Sequence, residues 1–222
     1  KVVIPLLNLV GKKLWRGGEN IPKNGKTIVA SNHLSYLDVL FLTHFLYRNG
    51  RAPRYIGKEG VFKVPVIGKI VLAAGMVPVA RESKDASKAL DHALRLLEMG
   101  HCVGVYPEGT LTRDPNLWPM DGKTGAARIA LATKAPVIPV AHWGAHLVLA
   151  PYSKKLKLFP RKTMIVQAGK PVDLSDLYGQ EITGEVLKDA TSRIMDAITK
   201  ELAAIRNETP PAQRMPWTKE RP

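Results

Sequence analysis

Apolar positions recur along this chain with two periods. Short runs rich in Val, Ile and Ala, at 27–31, 54–57, 76–80, 102–106, 137–142 and 164–168, predict strands. The stretch 83–100 instead places Ala86, Leu90, Ala93, Leu94 and Leu97 at helical spacing, with Gly100 as a stop. An alanine-rich helix is expected at 124–134, leading into the apolar Val137–Val140 run. Over 186–206, Leu187, Ala190, Ile194, Ile198, Leu202 and Ile205 fall on one stripe, as in an amphipathic helix with a core-facing side. Strands alternating with helices predict a single α/β domain, and 222 residues suffice for a sizeable core. No internal repeat is present.

The two ends depart from this alternation. Residues 2–10 are apolar but interrupted by Pro5, and fall short of the roughly 18–20 consecutive apolar residues a membrane-spanning helix needs. Bordered by Lys1, Lys12, Lys13 and Arg16, the segment suits a helix lying in a lipid interface, with Leu6, Leu7, Leu9 and Trp15 entering the lipid; packing on the protein's own core is the alternative. The chain begins without Met, which leaves room for a longer upstream segment. The proline-rich, charged end, 207–222, reads as disordered or surface-hugging. The expected organisation is therefore a membrane-associating segment over 1–17, the main domain over 18–206 and the tail.

Charge narrows the partners. With 33 Lys and Arg against 19 Asp and Glu, the net charge of +14 calls for an anionic partner: nucleic acid, an acidic lipid surface or a phosphorylated substrate. Aromatic residues make up only 6%, no zinc-finger spacing occurs and the cations are spread along the chain, so nucleic acid is not expected. The single cysteine, Cys102, rules out an internal disulfide and reads as a small core residue in a reducing compartment.

The candidate chemistry lies after the first predicted strand, in Asn32-His33-Leu34-Ser35-Tyr36-Leu37-Asp38. A neutral imidazole can take a proton from an alcohol near neutral pH, and a carboxylate on its other nitrogen fixes the tautomer and stabilises the imidazolium. His33 and Asp38 fit these roles, and no serine nucleophile is needed if the alcohol belongs to the substrate. The rival reading is structural: Ser35-x-x-Asp38 matches a helix-start pattern, with Ser35 as cap. A second strand, 101–106, runs into Pro107-Glu108-Gly109-Thr110 and then Leu111-Thr112-Arg113-Asp114, which presents polar groups where ligands bind α/β sheets. The stretch 61–72 reads as core plus loop, or as a contact for an apolar chain or a bilayer. His142 and His146 lack a third ligand, and no metal is expected.

Taken in order, these blocks resemble the glycerolipid acyltransferases, in particular the lysophosphatidate acyltransferases. The Asn-His-x-Ser-x-x-Asp block is Asn32, His33, Ser35 and Asp38, and the lysine with its Phe-x-x-Pro-x-x-Gly run is Lys58, Phe62, Pro65 and Gly68. A Gly-x-x-x-Val-x-Arg stretch follows as Gly75, Val79 and Arg81; then come Tyr106 to Thr110 and the closing Val137 to Val140. The resemblance covers about Gly18 to Val172. It departs at Leu111, where the family commonly has arginine; Arg113 stands two residues later.

The resemblance implies an α/β domain with a mixed central sheet flanked by helices, preceded by the amphipathic membrane-associated helix. It also implies transfer of an acyl group from acyl-CoA or acyl carrier protein to the free hydroxyl of lysophosphatidate, without a further cofactor. The work would be done at the cytoplasmic face of the cell membrane, against an anionic surface. His33 and Asp38 would be catalytic. Lys58 and Arg81, with or without Arg113, would hold phosphate, while Glu108, Gly109 and Thr110 would shape the acceptor site. Backbone N–H groups near Gly109 are candidate oxyanion donors. The rivals are a related acceptor such as glycerol 3-phosphate or another lysophospholipid, a lipid hydrolase, which would need the Gly-x-Ser-x-Gly elbow this chain lacks, and a non-catalytic membrane-binding module.

Overall fold

The computed structural model describes residues 3–58, 76–79, 85–153, 155–218 and 220. Among the described residues the six apolar runs, together with Gly11–Arg16, pair into a seven-stranded sheet: β1 (Gly11–Arg16), β2 (Thr27–Ser31), β3 (Pro53–Lys58), β4 (Met76–Val79), β5 (Cys102–Val105), β6 (Val137–Trp143) and β7 (Lys162–Ala168), in the order β1-β7-β6-β2-β5-β3-β4. From β6 through β4 neighbouring strands run parallel, whereas β7 is antiparallel to β6 and parallel to β1. The sheet is therefore mixed. Parallel neighbours need long crossovers, and these contain α2 (Asp38–Arg48), α3 (Asp85–Glu98) and α4 (Gly125–Thr133). Flanking them are α1 (Val3–Val10), the short α5 (Ala145–Val148) and α6 (Gly184–Arg206).

The alternation of side chains along β2 divides the core. Ile28 and Ala30 face one side, where Leu97 of α3, Ile129 and Ala130 of α4, and Ile194 and Ile198 of α6 bury their stripes. Val29 faces the other, against Leu42, Phe45 and Leu46 of α2. Both faces being covered, the central strands are continuous apolar runs. Gly104 is fixed by this packing, because a Cβ there would stand 2.2 Å from the buried Tyr55 ring. The Thr183 hydroxyl accepts from Val186 N–H and starts α6 (3.3 Å).

At the N-terminus the packing alternative holds for two apolar side chains, and part of the segment is a strand. Gly11–Arg16 is an edge strand, held to β7 through main-chain pairing, with Trp15 opposite Val166. Trp15 packs edge-on against His44 and Phe45 (ring centroids 4.7 and 5.9 Å apart), and Leu7 packs with Phe41, Val148 and Met164. Leu7 is buried and Trp15 partly buried against the protein's own core. Edge pairing depends on backbone groups, so the Lys and Arg of Gly-Lys-Lys-Leu-Trp-Arg concealed the strand in the sequence pattern. No helix among the described residues is long and apolar enough to cross a membrane. The 61–72 stretch lies outside the described residues.

Candidate active site

The parallel strands β2, β5 and β6 end at the same edge, and the candidate chemistry gathers there, at the position where ligands bind open α/β sheets. Beyond the last β2–β6 pair, Ser31 with Val140, the buried Asn32 side chain continues the join. Its amide donates to the His142 carbonyl (3.1 Å), and its carbonyl accepts from the His142 N–H (2.9 Å). This pair of hydrogen bonds fixes the start of the loop that carries His33.

His33 and Asp38 meet. Nδ1 of His33 lies 3.0 Å from Oδ2 of Asp38, whose carboxylate is fully buried, while the imidazole keeps 15% of its surface. The same Oδ2 accepts the N–H groups of Leu34 and Ser35, each at 2.6 Å. Asp38 thereby folds its own loop into a tight ring around the imidazole. With a carboxylate as acceptor, the Nδ1–H tautomer is set, and Nε2 is left to take a proton from a substrate. The cap reading is corrected in part: Ser35 does not cap α2. Its hydroxyl donates to the Leu149 carbonyl (2.8 Å) and accepts from Leu37 N–H (3.2 Å).

Aromatic and imidazole rings enclose the pair. Tyr106, at the end of β5, stacks on His33 with centroids 4.1 Å apart at 22°. Its buried hydroxyl is pushed well above the usual phenol range by desolvation, so it remains protonated. On the far side of Asp38, Nδ1 of His142 stands 3.4 Å from Oδ1. Burial lowers the His142 pKa, so this ring is neutral despite the adjacent carboxylate. His142 lies in β6 and His146 in α5, with Gly144 between the two elements, and the His146 ring packs on Trp143 (centroids 4.2 Å apart).

The Pro-Glu-Gly-Thr turn braces this arrangement from below. Glu108 is fully buried, with Oε1 accepting His33 N–H (3.3 Å) and Oε2 accepting Met120 N–H (3.1 Å). Both oxygens of its carboxyl therefore hold main-chain N–H groups, one of them the amide of His33. Desolvation outweighs the amide donors and pushes its pKa up to about 8. Thr112 N–H donates to the His33 carbonyl (2.7 Å), so the loop is held on both sides of the imidazole. Gly109 has φ +67, the left-handed region that favours glycine. Its N–H closes the turn onto the Tyr106 carbonyl (2.9 Å), so that amide is not the expected oxyanion donor. Thr110 follows it, half-buried.

The expected phosphate ligands are distributed unevenly. Lys58 ends β3, paired with Val79, at the same sheet edge, though only its main chain is described; Arg81 lies outside the described residues. Leu111 is 2% exposed, which accounts for an apolar residue where the family has arginine. Arg113 is engaged: Nε donates to the Tyr152 hydroxyl (3.3 Å) and Nη1 to the Thr218 carbonyl.

That last contact comes from the tail, which lies against the domain. Trp217 donates its indole N–H to the Glu108 carbonyl (2.9 Å), and Lys123 sits over its ring at 4.1 Å. Met215 accepts from Asp121 N–H, and Arg214 pairs with Asp121 and Asp196. Neither His142 nor Trp217 was singled out for the site from sequence. The only signal was their chemistry, a histidine within a strand and a tryptophan in a polar tail.

The Acyltransferase family model matches residues 14–143 of this chain. A chloroplastic 1-acyl-sn-glycerol-3-phosphate acyltransferase of Brassica napus is 34% identical over 136 residues, 60% of this chain and 38% of that protein. The enzyme of the same name from Bacillus subtilis is 30% identical over 174 residues, covering 77% of this chain and 79% of its own length. The crystal structure of the 1-acyl-sn-glycerophosphate acyltransferase PlsC from Thermotoga maritima has a TM-score of 0.62 and 25% identity, covering 88% of this chain and 74% of that one. This chain spans only 38% and 36% of the chloroplastic relatives from Brassica napus and Arabidopsis thaliana. A match over more than half of the chain, enclosing both the His33 loop and the turn that braces it, establishes that this chain belongs to the Acyltransferase family.

Proposed function

We propose that this protein transfers a fatty acyl group from a thioester, acyl-CoA or acyl carrier protein, to the free hydroxyl of lysophosphatidate, giving phosphatidate at the cytoplasmic face of a membrane. The observation that carries the reading is the 3.0 Å contact between His33 Nδ1 and a buried Asp38 oxygen at the ligand-binding edge of the sheet. The Ser35 hydroxyl is committed to the Leu149 carbonyl, which favours a substrate hydroxyl as nucleophile over a serine of the loop. The identity of the acceptor is supported by the names of the relatives.

The acceptor hydroxyl gives its proton to His33 Nε2 as its oxygen attacks the thioester carbonyl. Asp38 stabilises the imidazolium through Nδ1–H. The tetrahedral intermediate then expels the thiolate, the C–S bond breaks, and the imidazolium returns the proton to sulfur. Lys58, Arg81 and Arg113 are the proposed phosphate ligands, with Arg113 exchanging the Thr218 carbonyl for a phosphate oxygen. A guanidinium offers a phosphate two parallel donors, which a carbonyl cannot match.

The test is thiol release from acyl-CoA and from acyl carrier protein, with lysophosphatidate, glycerol 3-phosphate or lysophosphatidylcholine as acceptor. Lysophosphatidate-dependent release that is lost in His33→Ala is the expected result. Release that is equally fast without any acceptor would show a hydrolase and overturn the reading.

A further inference from the structure

Between α5 and β7 the chain folds back on itself as a narrow loop, with Leu149 bridged antiparallel to Leu156 and Lys157 N–H donating to the Val148 carbonyl (2.8 Å). Three of its large apolar side chains are exposed, Phe159 by 75%, Leu156 by 59% and Leu158 by 41%, as is Leu147 of α5 by 45%. Large apolar side chains grouped on a surface mark a contact with a partner or membrane. Alternating with them are the exposed Lys155, Lys157 and Arg161, and the sequence from Ala145 to Val172 contains no acidic residue.

The loop touches the candidate site at two points. Leu149 accepts the Ser35 hydroxyl, one residue before Tyr36, which is 59% exposed. Tyr152 donates to the Leu111 carbonyl (2.7 Å) and accepts from Arg113. At its far end Arg161 donates to the Asn8 carbonyl of α1 (2.6 Å).

We propose that the loop after α5, residues 149–153 and 155–161, is the surface on which this protein docks on an anionic bilayer. Leu156, Leu158 and Phe159 enter the acyl boundary while Lys155, Lys157 and Arg161 meet lipid phosphates. Apolar tips alternating with cations are the chemistry of an interfacial segment: tips alone leave head groups unmatched, and cations alone leave Phe159 in water. An acidic protein partner would satisfy the cations and not the tips. The proposal rests on the reading that the acceptor is a bilayer lipid. Through Ser35 and Leu111, docking would set the membrane surface beside His33, so that a lipid reaches the site by moving along its own head-group plane.

Every substituted side chain is exposed, so the variants should fold. Full-length protein, Leu156→Ser/Phe159→Ser and Lys155→Gln/Lys157→Gln are compared by co-sedimentation with vesicles of phosphatidylcholine alone or mixed with phosphatidylglycerol, at low and high salt. The apolar variant should lose about tenfold or more in partitioning on both vesicles. The charge variant should lose affinity for the anionic vesicles alone, and only at low salt. Both should unfold at the wild-type temperature and acylate a water-soluble, short-chain lysophosphatidate at the wild-type rate. Unchanged partitioning of the apolar variant would overturn the proposal, as would vesicle binding retained while binding to acyl carrier protein is lost. Vesicle binding without any acyl transfer by the wild type would overturn the reading of the acceptor and leave the docking surface standing.

Discussion

The His142 ring stands behind Asp38, with its Nδ1 3.4 Å from the one carboxylate oxygen, Oδ1, that His33 and the loop amides leave unused. The contact is off the line of a hydrogen bond, and both nitrogens of this buried ring are otherwise unpartnered. Catalytic hydrogen bonds are often long before substrate binds and tighten afterwards. His142→Ala should therefore lower kcat by roughly tenfold, the scale of a bond to a charged group, with little change in KM. His142→Gln, which keeps an amide donor, should recover part of the loss. Steady-state kinetics of the two variants check this; equal losses would mean that His142 acts by packing alone.

Asp38 combines two tasks that substitution can separate. Asn at this position still offers an oxygen to the Leu34 and Ser35 amides but carries no charge to stabilise an imidazolium. Asp38→Asn should keep its thermal stability and lose roughly 100-fold or more in turnover, as should His33→Ala. Normal turnover per folded molecule in either variant, measured by thiol release, would remove this pair from the mechanism.

The buried Glu108 carboxyl should make stability depend on pH. Folding raises its pKa from 4.5 to about 8, so the folded state retains a proton that the unfolded chain releases. This contribution is full below pH 4.5 and is lost as pH rises through about 8. Glu108→Gln, permanently neutral, should remove that part of the decline in Tm. Thermal melts of both proteins across this range decide it: parallel curves would assign the titration to another group.

Trp217 holds the tail on the site by two separable contacts. Trp217→Phe removes the indole donor to Glu108 and should cost about 0.5–1.5 kcal/mol. Trp217→Ala also removes the ring beneath Lys123, adding about 0.5–1 kcal/mol. At this chain length each kcal/mol lowers Tm by about 2–4 °C. Melting temperatures in the order wild type, Phe, Ala are expected; a tail that contributes nothing would give three equal values.

What the sequence by itself determined was whatever depends on local spacing. The apolar runs of β2, β5 and β6 and the stripes of α3 and α6 were legible because strand and helix periods are properties of the chain. So was the His33–Asp38 pairing, because five residues around a strand-to-helix turn return the carboxylate to the imidazole. Tertiary structure decided what depends on distant partners. Gly11–Arg16 became a strand only because β7 offered an open edge, and main-chain pairing leaves no mark on side-chain composition. Glu108 became a buried brace because His33 and Met120 both turn an N–H toward it. His142 and Trp217 reached the site across 104 and 179 residues of chain from Asp38, separations that no local pattern encodes. Long-range packing sets such contacts, because only the folded sheet brings its strand ends to one edge.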